Sequence, residues 1–332
     1  MSRGGALSMI RYVAAFALVM ILAALAVPAT AQTIWDMPTP YPVSNFQTRN
    51  VQLFNDDVDA ATAGKLKIKL HAGGSLFKHP DIKGAVSDGR AAIGELLTSI
   101  HSDQSPMYAV DSVPFLATSY EDARKLYIAH RPLLEKRLAQ DGLVLLYSVP
   151  WPPQGMYAKK EITSVATLKG LKFRTYNPGT KRIAELAGAA PVQIEVPDIK
   201  AAFSEGRVDV TITSGATGVE ARFWEFVTHY HDLQAWIPRN IVFASSAAMG
   251  KLSEMERAAL LAAATRAEDR GWAASVKETE ERVAALKAAG MIVLPPSPAL
   301  NEGLRAIGRE MTADWEKAAG ADGRQLLEAY RK

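Results

Sequence analysis

The sequence predicts an α/β protein of two lobes, with a long helix near its C-terminus tying them together. Three observations carry this. Helical and strand patterns alternate from residue 43 to residue 246, the mark of repeated βα units. Trp151-Pro152-Pro153 punctuates that alternation and divides it into two sets. Ser253 and Glu256 then form a capping-box pattern that opens a helical stretch to Ala289, 37 residues with no internal proline. At 1.5 Å per residue such a helix runs about 55 Å, the length of a two-lobed molecule.

Each element has its own signal. Val51, Phe54 and Val58 at helical spacing predict a first helix over Val43 to Ala63. Leu66, Ile68 and Leu70 alternate with Lys67 and Lys69, which predicts a half-buried strand turned at Gly73-Gly74. Asp81 to Gly89 reads as a short helix and the apolar run Ala91 to Leu97 as a buried strand. An amphipathic helix over Tyr120 to Gln140 and a buried strand over Leu143 to Val149 complete the first set. In the second set, strands are expected over Leu171–Tyr176, Val192–Val196 and Val208–Thr213. Helices are expected over Gly179–Ala187, Asp198–Glu205 and Gly218–Val227. Tyr230 to Ser246 is strand-like with Pro238 at its middle, so it reads as two pieces crossing between lobes. Met291–Leu294 follows as a short strand and Pro298–Tyr330 as mostly helix.

The first thirty residues are a different material. Arg3 and Arg11 precede an apolar run of 16 residues, Tyr12 to Val27, and Ala29-Thr30-Ala31 follows Pro28 with small residues at cleavage spacing. This predicts a secretory signal peptide over residues 1–31 and a periplasmic mature protein. The run falls short of the ~20 residues a membrane span needs, so no membrane insertion is expected after cleavage. The chain has 332 residues, 48% of them hydrophobic and 22% charged, with no cysteine, which excludes wholesale disorder and a disulfide or thiolate-metal scaffold. Its formal charge of +3 includes both leader arginines and forms no polybasic block, so nucleic acid is not an expected partner.

Catalytic signatures are thin. No Walker loop, GxGxxG, GxSxG or HExxH occurs. His229 and His231 share a strand face, yet no third metal ligand is evident. Arg174 is the cation of interest. In Lys172-Phe173-Arg174-Thr175-Tyr176, alternation puts Arg174 and Tyr176 on one face at the strand's carboxyl end, where α/β sheets bind ligands. A guanidinium there grips a carboxylate with two parallel hydrogen bonds. On spacing alone it reads equally as a surface arginine. Trp151 and Trp236 suit a cleft lining with Tyr176, and suit core packing as well.

Four segments together resemble a known family. They are TAGKLKIKLHAGGSLF (62–77), DSVPFLATSYEDARKLY (111–127), ITSVATLKGLKFRTY (162–176) and AAPVQIEVPDIKAAFSEGRVDV (189–210). Their order and spacing resemble the solute-binding proteins of tripartite ATP-independent periplasmic (TRAP) transporters, the dicarboxylate-binding DctP-like group. The resemblance implies a type II-like periplasmic binding protein that closes on a small organic acid and hands it to membrane permease subunits. It places Arg174 on the family arginine that pairs with the ligand carboxylate. Thr213 falls where many members carry asparagine. Gln154 stands where some members carry a second arginine, which implies a singly charged acid or an uncharged far end: a hydroxy, keto or aromatic monocarboxylate. Ser214 to Gly218 offers no carboxylate for the metal bridge of some keto-acid binders, so neither metal nor cofactor is expected.

Further ligand contacts are expected from Tyr41, Ser44 and Asn45 at the start of the first helix, where backbone N–H groups suit an anion. Glu95 and Ser99 near the end of the Ala91–Leu97 strand, and Asn240 beside Trp236, complete the set. The expected organisation is a first lobe over 32–150 completed by part of 238–270, and a second over 151–237 completed by part of 271–300. Residues 253–332 then span both. A periplasmic enzyme acting on a small carboxylic acid, and a ligand-sensing adaptor on the same fold, remain the alternatives.

Overall fold

The computed structural model describes residues 32–332; the expected signal peptide, residues 1–31, lies outside the described residues. Two large sheets carry the architecture. A three-stranded antiparallel sheet has the order β3–β10–β4, where β3 is Ile93–Leu97, β4 Leu143–Pro150 and β10 Arg239–Ser245. Beside it, β1 (Thr33–Pro38) and β2 (Leu66–His71) form a pair flanking the first helix, Phe46–Ala61. A six-stranded mixed sheet has the order β11–β9–β5–β8–β6–β7. Its central strands are β5 (Gln154–Ala158), β8 (Val210–Ser214) and β6 (Lys172–Thr175). Its flanks are β7 (Ala190–Gln193), β9 (His229–His231) and β11 (Ile292–Leu294).

The chain crosses between the sheets at residues 151–153 and returns at 232–238, and these two crossings are zipped together. Trp151 N donates to Pro238 O at 2.7 Å, Gln154 N to Trp236 O at 3.0 Å and Ala235 N to Gln154 O at 3.0 Å. Pro152 and Pro153 contribute no backbone N–H, so the first crossing is pinned by the donors that flank them, Trp151 and Gln154.

The long helix spans Glu254–Ala288 and starts with Ser253 accepting from Glu256 N while the Glu256 carboxylate accepts from Ser253 N, a reciprocal cap. Small residues let it lie close to β4: a Cβ on Gly271 would stand 2.4 Å from Val149. Further along, it packs on the short helix Gly215–Glu220 that follows β8, so one rigid element touches both sheets. The last helix, Pro298–Arg331, breaks its helical path at Gly320 (φ 60°).

Most expected elements are present with shifted ends. The first helix begins at Phe46, not Val43, because Asn45 accepts from Gln47 N and fixes the start there. The helix expected over Gly218–Val227 instead runs Gly215–Glu220 and is stopped by left-handed Arg222 (φ 53°) before a 3-10 turn at Phe223–Glu225. The strand expected over Val192–Val196 lies earlier, because Val196–Asp198 winds into a 3-10 turn ahead of a helix. Strands β1 and β5 carry no sequence signal that predicts them. Gly155 disguises β5: it reads as a turn residue, yet the buried Tyr230 ring occupies the space of its missing side chain, 2.4 Å from where a Cβ would stand.

Candidate functional site

Where the two crossings meet the ends of both sheets a cavity opens, with about 430 Å³ of empty space when the solvent at its mouth is included. Tyr41, His79 and Leu97 wall it from the side of the three-stranded sheet; Gln154, Arg174, Tyr176, Glu195 and Thr213 wall it from the six-stranded side. Trp151 and Pro238 of the crossings close the back.

Arg174 dominates the chemistry. It is 1% exposed, so it is no surface arginine. Strand β6 delivers it parallel to both β7 and β8, with Arg174 level with Val192 and Thr211. Its Nε donates to Ile194 O at 2.9 Å, and its guanidinium carbon lies 4.7 Å from the Tyr176 ring centre. Nη2 is buried with no hydrogen-bond partner. Burial lowers the Arg174 pKa to about 10, and Tyr176 and Glu195 oppose that shift, so the side chain remains a cation at neutral pH. A buried cation holding an unpaired donor is costly unless an anion meets it.

The walls are aromatic and rigidly supported. The Tyr41 ring meets Trp151 edge-on at 5.0 Å, and Trp151 meets Phe46 likewise at 5.3 Å. Behind them sits a polar relay. Asn240 Oδ1 accepts from Trp151 Nε1 at 2.7 Å and from Tyr41 Oη at 3.3 Å, while Asn240 Nδ2 donates to Glu95 Oε1 at 2.8 Å. Thr39 donates to the other Glu95 oxygen. Burial pushes the Glu95 pKa up to about 7 against the bonds from Thr39 and Asn240. Opposite, Tyr176 Oη donates to Gln154 Oε1 at 3.2 Å and Gln154 Nε2 to Pro152 O at 2.8 Å.

Of the residues singled out in the sequence, Arg174, Gln154, Thr213, Tyr176, Tyr41 and Trp151 share the cavity wall. The other six lie off it. Glu95 and Asn240 form the relay just described. Trp236 is 1% exposed in the core of the six-stranded sheet with Phe173, Ile183 and Ile212. Ser99 Oγ accepts from Asn177 Nδ2 at 2.7 Å. Ser44 Oγ and Asn45 Nδ2 donate to the two oxygens of Glu220, at 3.0 and 2.8 Å, outside the cavity. These last contacts join the start of the first helix to the helix after β8, so the anion expected at that N-terminus is this chain's own carboxylate.

Sequence reasoning missed His79, Glu195, Leu97 and Thr217 in the wall. Glu195 lies inside one of the family-like segments, but a glutamate before Val-Pro-Asp reads as the start of a turn. His79 gave no signal, since its role depends on contacts from distant segments.

The sequence matches the family described as "Bacterial extracellular solute-binding protein, family 7" (DctP) over residues 40–318. The chain belongs to that family. This family 7 protein is similar to three solved structures in particular, each at a TM-score of 0.89. The extracytoplasmic solute receptors DctP7 and DctP6 of Bordetella pertussis, both binding pyroglutamic acid, are 45% and 43% identical. Each match covers 90% of this chain, and 100% and 99% of the respective receptor. A marine metagenome TRAP solute-binding protein specific for pyroglutamate is 42% identical, covering 91% of this chain and 99% of that one. The fold is that of the TRAP periplasmic binding proteins, mixed α/β with a long helix near the C-terminus.

Proposed function

We propose that this family 7 protein is the periplasmic receptor of a TRAP transporter that captures a small monocarboxylate, pyroglutamate, and delivers it to membrane permease subunits. The observation that carries the reading is the buried Arg174, with a partnerless Nη2, in the wall of an aromatic-lined cavity. A carboxylate seated there satisfies the orphan donor and forms a charge-assisted pair worth roughly 1.5–3 kcal/mol. Among the described residues no second arginine or lysine lines the cavity, so a second carboxylate on a ligand would meet no cation there. The lactam ring of pyroglutamate is small, flat and uncharged at its far end, which suits Tyr41, Trp151 and Tyr176 as walls and the Gln154 amide as a polar contact. Relatives at 42–45% identity that bind this ligand support the choice.

Capture requires opening. In this reading the zipped crossings are the hinge, residues 32–150 with part of 238–270 make one lobe, and 151–237 with part of 271–300 the other. Ligand favours closure by bridging Arg174 on one side and the Tyr41–Trp151 wall on the other. The signal peptide over residues 1–31 carries the protein to the periplasm. Isothermal titration of the mature protein against pyroglutamate, succinate and glucose tests the proposal. Saturable 1:1 binding of pyroglutamate, with succinate weaker and glucose silent, is expected; tight glucose binding with no acid bound overturns it.

A further inference from the structure

The cavity has a negative pole as well as a positive one. Glu195 lies in its wall, immediately after the residue whose carbonyl clamps Arg174, since Arg174 Nε donates to Ile194 O at 2.9 Å. Ile194 N in turn donates to Thr175 O at 3.1 Å, so strand and segment are bonded in both directions. The two charges are thereby held in a fixed mutual position by one short piece of backbone.

The partners of Glu195 define what it offers a ligand. Gln193 Nε2 donates to its Oε1 at 3.2 Å, and His79 Nδ1 stands 3.8 Å from its Oε2. His79 Nε2 accepts the backbone N–H of Leu97 at 3.1 Å. A neutral His79 must therefore carry its proton on Nδ1, facing the carboxylate. Burial acts to raise the Glu195 pKa, but the nearby His79 ring, the bond from Gln193 and the field of Arg174 outweigh it and leave the group more acidic than usual. An ionised carboxylate only accepts hydrogen bonds, and its two contacts leave lone pairs unused.

We infer that Glu195 is the specificity-determining residue of this cavity, accepting a hydrogen-bond donor on the ligand, the lactam N–H, and rejecting ligands with a second carboxylate. His79 is a positioning residue whose Nδ1 edge stands against Glu195 at 3.8 Å. The inference rests on the pyroglutamate reading for its donor, but its charge argument stands apart from it.

The test uses three probes on the mature protein and its Glu195→Gln and Glu195→Ala variants, read by titration calorimetry: pyroglutamate, its lactone analogue with ring oxygen in place of N–H, and glutarate. A hydrogen bond to a charged group corresponds to a discrimination of about 10- to 150-fold. The unaltered protein is expected to prefer pyroglutamate to the lactone by that factor and to reject glutarate. Glu195→Ala is expected to bring the preference within about threefold, and both variants to gain glutarate binding. An undiminished pyroglutamate-to-lactone preference in Glu195→Ala overturns the inference while leaving the ligand assignment intact. If the unaltered protein binds no pyroglutamate, the ligand assignment falls by itself. Glu195 is then judged on glutarate alone, and rejection unchanged in both variants overturns its role.

Discussion

Replacing Arg174 by methionine separates recognition from folding. Methionine nearly matches the buried stem in volume and removes the charge without a large void. In the unliganded protein two terms oppose each other. The substitution relieves a desolvated cation that is 1% exposed and lacks a partner at Nη2, and it forfeits the bond from Nε to Ile194 O. The first is worth several kcal/mol, less the lost attraction to Glu195 and the Tyr176 ring, the second about 1–3 kcal/mol as a stranded carbonyl, so the unliganded Tm is expected to hold. With ligand the balance reverses. The carboxylate now enters a closed aromatic cavity with no counter-charge, a loss of roughly 3–5 kcal/mol, or about 150- to 5,000-fold in Kd. Titration calorimetry measures the second quantity and a thermal melt the first. At one hundred times its Kd, ligand stabilises the unaltered protein by about 2.7 kcal/mol, and the same concentration should leave the variant's Tm unmoved. An Arg174→Met protein that folds normally and binds pyroglutamate within tenfold of the unaltered one would refute the anchor.

Two other outcomes are expected. Glu95 titrates near 7 in the fold against 4.5 when unperturbed, so its contribution to stability is present below about pH 4.5 and is lost as pH rises through 7, on the order of 3 kcal/mol in all. Comparing Glu95→Gln with the unaltered protein cancels the opposing buried histidines, His101 and His130, both held neutral by burial. The variant's relative stability should climb from pH 5 to pH 8, and a flat difference in urea midpoints across that range would remove the assignment. Gly155→Ala places a methyl 2.4 Å from the buried Tyr230 ring, and overpacking of this kind costs about 1–3 kcal/mol. A chemical denaturation midpoint equal to that of the unaltered protein would show that the ring yields freely.

Much of the fold was legible because its signals are local. The helix over Tyr120–Gln140 has the bounds expected of it, and the Ser253–Glu256 cap marks the start of the long helix, since capping and helical spacing depend on residues within a turn of one another. Strand β5 was hidden for the opposite reason: its glycine is explained by a tyrosine 75 positions away. The site divides in the same way. Alternation put Arg174 and Tyr176 on one face, and the guanidinium does lie against that ring. Strand parity says nothing of depth, which is why the sequence left Arg174 open between cavity and surface.

The sequence alone therefore determined the α/β class, the family and the residue types available for holding an acid, because periodicity, caps and contiguous motifs are short-range properties. Only the tertiary structure decided which polar groups line the cavity. Glu95, Asn240, Ser44, Asn45 and Ser99 all satisfy one another or distant partners inside the protein, whereas Glu195 and His79, drawn from separate segments, turn towards the cavity. A buried polar side chain takes whatever partner packing brings within about 3 Å, and that choice is made by chain crossings remote in sequence.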